Sequence, residues 1–206
     1  TTGILATHVF GNPCNLDAIE KIANSNNLKV IYDAAHCFGT NYKGRSVMAF
    51  GDMSCISFHA TKLFHTIEGG AITTDDDDMA YRLRKLRNFG HNGPLKFDGV
   101  GINGKNSEAH AAMGLVNLNY IEEEMKKRRV HHKQYKDLLD GLPLVFPEIE
   151  DNAEDNASYC AVLFENERDL LAVKNALEIK GIGSRSYFNP SLYTLDYLTT
   201  KQKCSF

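Results

Sequence analysis

The sequence has no tryptophan, only five prolines and only five cysteines in 206 residues. The cysteines, Cys14, Cys37, Cys55, Cys160 and Cys204, are odd in number, widely spaced and without a CxxC pair. That pattern argues against a disulfide framework or a structural zinc site. It leaves free thiols, as expected in a reducing cytoplasm. No apolar run approaches the roughly 18 to 20 residues of a membrane-spanning helix. Neither sign of charge dominates: 23 basic residues face 26 acidic ones, for a net charge of −3, which excludes a bulk nucleic-acid binder. What is present is ordinary globular material. Hydrophobic residues make up 43% and charged residues 24%, which excludes disorder and leaves enough chain for one or two domains with a real core.

The first half alternates strand and helix. Ile4 to Phe10 reads as a strand, followed by a turn at Gly11-Asn12-Pro13. Asn15 then caps a helix whose apolar residues Leu16, Ile19, Ile22 and Ala23 recur at helical spacing, with Asn26-Asn27 as its end. Leu28 to Tyr32 is a mostly apolar strand, as expected where both faces are covered. A strand–helix–strand unit of this kind predicts a parallel sheet. Met53–Phe58 and Ala71–Thr74 are further strands, and Asp75–Asp78 opens a helix over Met79–Asn88. Phe89–Asn106, rich in Gly and Asn, reads as a long ordered loop. Ser107 caps a long helix that runs, with a break, to Leu139. Beyond Gly141 the pattern changes: Ser158–Phe164 reads as a strand and Glu167–Lys180 as a helix. We expect the domain boundary near residue 130.

Two positions carry chemistry. Asp33 ends a predicted strand, and in open α/β sheets the carboxyl ends of strands face the ligand crevice. A helix-capping Asp is the competing reading. Lys62 follows a buried strand in a polar segment, Ser57 to Gly70, that closes on two glycines. A desolvated lysine can form a Schiff base, although a lone loop lysine is usually a solvated one. Together they are more informative. Pyridoxal phosphate needs a lysine for its aldehyde, a carboxylate for its ring nitrogen and donors for its phosphate. Other polar groups take plain readings. Asp75–Asp78 lacks the pattern of a calcium loop. The basic run Lys126–Lys133 is a solvated helix face. His59 and His65 lack zinc-helix spacing, so no metal is expected.

The segments Asp33-Ala34-Ala35-His36, Ser57-Phe58-His59-Ala60-Thr61-Lys62 and Glu68-Gly69-Gly70 resemble the DegT/DnrJ/EryC1/StrS sugar aminotransferases. So do His8–Pro13, Arg87–Gly93, Gly101–Glu108 and Ala111–Leu115, in the same order along almost the whole chain. The resemblance implies an α/β fold, the fold type I of pyridoxal-phosphate transferases: a mostly parallel sheet with helices on both faces, then a smaller α+β domain. Residues 1–129 would be the remainder of the large cofactor domain and 130–206 a truncated small one. The family's N-terminal part, with its Gly-Thr phosphate turn and ring-stacking aromatic, has no counterpart here, so a fragment is expected.

The resemblance also implies roles. Lys62 would carry the cofactor and shuttle the proton. Asp33 would pair with the ring nitrogen, and Ser57 would bind the phosphate. His36 stands where many members have Gln beside the cofactor, and His59 lies close to it. Asn103 would reach the phosphate in the neighbouring subunit, making the active unit a homodimer. The implied reaction moves an amino group from glutamate to a nucleotide-linked keto-sugar, and the His59–His65 stretch is most similar to members acting on a dTDP-4-keto-6-deoxyhexose. The product would be a 4-amino sugar for surface polysaccharide such as lipopolysaccharide O-antigen. The rivals are amination at C3 and, for the isolated piece, a non-catalytic protein on the same fold. Family dehydratases carry His at the lysine position, and Lys62 speaks against that reading.

Overall fold

In this computed structural model the described residues are 1–197. Cys204 and the rest of the last stretch lie outside them. Two compact units are present, Thr1–Leu142 with Phe146–Val162, and Pro143–Val145 with the chain from Leu163 onward.

The first unit is built on a four-stranded sheet. Its strands are β1 (Gly3–Thr7), β2 (Lys29–Asp33), β5 (Met53–Ser57) and β6 (Gly70–Thr73), in the order β1-β2-β5-β6. Between β2 and β5 lies a short hairpin, β3 (Asn41–Tyr42) and β4 (Arg45–Ser46). β1, β2 and β5 run parallel, with Thr7 beside Asp33 and Asp33 beside Cys55; β6 runs antiparallel to β5. The parallel pairing of β1 with β2 requires a crossover, and α1 (Leu16–Asn26) supplies it. The Asn15 side chain caps α1 by accepting from Ala18 N–H, and Asn27 ends it in the left-handed conformation. Leu16 and Ala23 pack with Val30 and Tyr32 in the core.

The first strand is shorter than expected. It ends at Thr7 because His8 turns the chain and Phe10 adopts a φ of 60°, outside any strand. The predicted Ser158–Phe164 strand contracts to β9 (Leu163–Phe164), since Ala157 has a φ of 51° and the stretch after it is loop. The long helix breaks at Asn119-Tyr120 into α3 (Glu108–Leu118) and α4 (Ile121–Leu138). Ser107 caps α3 through His110 N–H. Acidic Asp76 caps α2 (Asp77–Leu86). The hairpin pairs with β8 (Ala153–Glu154), more than a hundred residues away. In the second unit β7 (Leu144–Val145) pairs with β9, and α5 (Glu167–Ile179) follows.

Candidate active site

Side chains alternate between the two faces of a strand, and laterally paired residues share a face. Asp33, Cys55 and Ser57 therefore stand on one face of the sheet, at or near the carboxyl ends of β2 and β5. Asp33 heads a turn and caps no helix. Its Oδ1 accepts from Ala35 N–H at 3.1 Å, while its second oxygen accepts no hydrogen bond among the described residues.

The segment after β5 folds back on itself. Phe58 N–H donates to Gly69 O and Thr66 N–H to Phe58 O, both at 2.8–2.9 Å. Phe64 stacks on Phe38 at 4.4 Å and meets Phe58 edge-on at 5.1 Å, so an aromatic floor supports the loop. α3 locks it from outside. Asn117 Nδ2 donates to His65 O at 2.8 Å, and a Cβ on Gly114 would come within 2.8 Å of Thr66 Cγ2. Lys62 closes a turn, its N–H donating to His59 O at 2.9 Å. Its Nζ has no hydrogen bond or ion pair among the described residues.

Lys62, Ser57 and His36 line one pocket of about 200 Å³, with Ala35, Phe38, Leu63, Ser158 and Tyr159. Ser57 Oγ accepts from His59 N–H at 3.3 Å. His36 Nδ1 accepts from Phe10 N–H at 3.1 Å, which fixes Nδ1 without a proton. Burial and then the Lys62 charge hold His36 below the ordinary histidine range, against the pull of Asp33. The Asp33 and Lys62 charges thus both act on the ring of His36, one from each side of the pocket's chemistry. His59 is exposed and sits outside that lining, with Nε2 3.6 Å from Glu68 Oε1 and Nδ1 2.8 Å from Thr61 Oγ1. Asn103 is exposed on the long loop. Its backbone bridges Asn88, and its Oδ1 accepts from Lys105 Nζ at 2.5 Å. Neither residue joins Lys62 within the described chain.

Three participants were not legible in advance. Ser158 and Tyr159 reach the pocket from a segment nearly a hundred residues beyond Lys62. Tyr159 lies against His36, ring centres 4.7 Å apart. Asn156 sets both: its Nδ2 donates to His36 O at 2.7 Å and Phe38 O at 2.8 Å, and its Oδ1 accepts from Ser158 N–H. Gly11 makes room, since a Cβ there would lie 2.7 Å from Asn156 Oδ1. No local pattern marks a bond spanning 120 residues; the buried Asn156 is recognisable only by its partners.

The residues suit pyridoxal phosphate. An unpaired lysine, a carboxylate oxygen without a recorded donor and a serine hydroxyl answer its aldehyde, ring nitrogen and phosphate. The hydroxyl of Ser158, buried in the same pocket without a partner, marks a wall built to meet something polar. Such a site at the ends of parallel strands is that of the fold type I pyridoxal-phosphate transferases. The family model of the DegT/DnrJ/EryC1/StrS aminotransferases matches residues 1–205, and the chain belongs to that family. It is 38% identical over 213 residues to a dTDP-4-amino-4,6-dideoxy-D-glucose transaminase of Shigella dysenteriae, covering 99% of this chain and 57% of that one. An Escherichia coli protein of the same description is 40% identical over 199 residues, covering 92% and 52%. The solved structure of DesI in the presence of its TDP-sugar product superposes with a TM-score of 0.85 at 36% identity, covering 96% of this chain and 51% of that one. The chain thus spans about half the length of these relatives.

Proposed function

We propose that the whole protein is a pyridoxal-phosphate-dependent aminotransferase that moves an amino group from glutamate to a nucleotide-linked keto-sugar, a dTDP-4-keto-6-deoxyhexose, in amino-sugar biosynthesis. The observation that carries this reading is the gathering of Lys62, Ser57 and His36 around one pocket, with Asp33 at the adjoining strand end. The dTDP-4-amino-4,6-dideoxy-D-glucose transaminases among the relatives favour that sugar over amination at C3. In this reading residues 1–129 belong to the large domain and 130–206 to the small one. The active unit is a cytoplasmic homodimer in which Asn103 serves the neighbouring subunit's site.

The cofactor, when bound, supplies an electron sink that lets a proton leave the carbon bearing the amine. Lys62 Nζ would hold the cofactor through its aldehyde. The free Nζ would take up the proton that leaves the donor's α-carbon, becoming an ammonium, and give it up again as the amine passes to the cofactor. Positioned proton transfer of this kind is worth roughly 10²- to 10⁴-fold. Asp33 holds the ring nitrogen's proton with its open oxygen, while Ala35 N–H fixes the other. Ser57 Oγ orients the phosphate by its hydroxyl proton. His36, its charged form disfavoured by burial and by the Lys62 charge, would help hold the cofactor without adding a second positive charge beside Lys62.

The test is the visible absorbance of the whole protein with pyridoxal phosphate, before and after glutamate, for wild type and Lys62→Ala. A lysine-dependent band that collapses with glutamate supports the reading, and keto-sugars are then screened for its return. A wild type without that band refutes it and favours a non-catalytic protein on this fold.

A further inference from the structure

Among the described residues only two buried side-chain polar atoms lack a hydrogen-bond partner, His8 Nε2 and Ser158 Oγ. The second lines the pocket that holds Lys62. Buried polar atoms are nearly always paired, so an orphan at a pocket wall is a place where a ligand or a water supplies the partner. We propose that Ser158 is a substrate-contacting residue, donating from Oγ to an oxygen of the molecule bound beside Lys62. The inference rests on the aminotransferase reading above.

The backbone of Ser158 is already committed. Its N–H donates to Asn156 Oδ1 at 3.0 Å, and its carbonyl accepts from Arg128 at 3.4 Å. Ala157 beside it is held at a φ of 51°, a conformation that an alanine keeps only when its surroundings impose it. The three bonds of Asn156 provide that imposition, so the hydroxyl is fixed before any ligand binds. Strain maintained at a pocket wall is the signature of a preorganised contact.

Two observations direct the hydroxyl to substrate and away from cofactor. The groups that answer the cofactor all come from the ends of β2 and β5 and the loop after β5, whereas Ser158 enters from beyond α4. The next residue, Tyr159, also walls a second, open depression with Phe10, Lys136 and Phe146. Ser158 therefore sits next to the one residue that the two linings share. Both exchanging molecules present oxygen acceptors there, a carboxylate on the amino-acid donor and hydroxyls on the keto-sugar.

The experiment uses the whole protein as wild type, Ser158→Ala and Ser158→Thr. Cofactor affinity is titrated on apo protein. Half-saturation by glutamate and by the keto-sugar is then read separately from single-turnover absorbance. Ser158→Ala is expected to leave cofactor affinity within twofold and to raise one half-saturation constant about three- to fifteenfold, the worth of one hydrogen bond. The maximal rate changes less than threefold, and Ser158→Thr restores binding. Which constant moves tells whether the acceptor is the donor's carboxylate or the sugar. Unchanged constants for both substrates, or a loss of cofactor affinity in their place, overturn the proposal. Absence of a lysine-dependent band in the wild type refutes the aminotransferase reading itself and the proposal with it.

Discussion

The two faces of the four-stranded sheet are unlike. On one face Val30, Tyr32 and Ser54 are buried, with Leu16 and Ala23 of α1 packed on the first two. On the other, Leu5 is 73% and Ile72 47% exposed, and the same face carries Asp33, Cys55 and Ser57. Within these 206 residues, stability and chemistry are thus divided by strand alternation: even-numbered positions of β2 build the core, odd-numbered ones lead to the site. The division teaches which substitutions should unfold the chain and which should only silence it.

The largest contrast is expected at Lys62. Lys62→Ala should lower amino transfer by at least about 10²- to 10⁴-fold. Its Nζ holds no hydrogen bond or ion pair among the described residues, so the urea midpoint should move no more than for a surface change. A variant that lost stability and activity in parallel would erase the division. On the closed face the reverse holds. Leu16 is 1% exposed in the core, and Leu16→Ala should cost about 2 to 5 kcal/mol by urea denaturation. A cost below about 1 kcal/mol would mean that α1 does not seal that face.

What could be read from the sequence follows the same division. α1, α2 and α5 are legible because Asn15, the Asp75–Asp78 run and the apolar periodicity are local signals. The strands β2, β5 and β6 are legible as short runs between turn residues, and the family motifs place Asp33 and Ser57 at strand ends and Lys62 in the loop after β5. The polar hairpin of β3 and β4 was missed, though Lys43-Gly44, with φ of 50° and 71°, is a turn signal. β8 and the Asn156 contacts were missed for a different reason. They join segments more than a hundred residues apart, and no local periodicity encodes such a pairing. His59, three residues before Lys62, is exposed and lies outside the lining that Lys62 joins.

The closed face also carries a pH dependence. His8 is fully buried, stacks on Tyr32 at 4.6 Å and accepts Cys14 N–H at Nδ1. Burial depresses it to about 4, against the opposing pull of Asp33. Above the ordinary histidine value of about 6.5 both folded and unfolded chains hold it neutral, and its stability is fully present. As pH falls from about 6.5 towards 4 the unfolded chain takes up a proton that the folded one refuses, so stability declines, by on the order of 3 kcal/mol. His36, lowered for similar reasons, adds in the same direction. His8→Gln should flatten the slope of urea midpoint against pH between 7.5 and 5. An unchanged slope would place the titration elsewhere.

The smallest effect is expected on the open face, and it is the sharpest test of the comparison. Leu5 and Leu16 are the same residue type on elements that flank the same strand, yet one is 73% and the other 1% exposed. Leucine left in water loses little by replacement, so Leu5→Thr in the 206-residue chain should change stability by no more than about 0.5 kcal/mol. Threonine is β-branched and favoured in strands, so a loss of strand propensity does not confound the result. If Leu5→Thr instead costs 2 kcal/mol or more, the face beside Asp33 and Ser57 is packed in solution, and the separation of a structural face from a chemical one fails at its first residue.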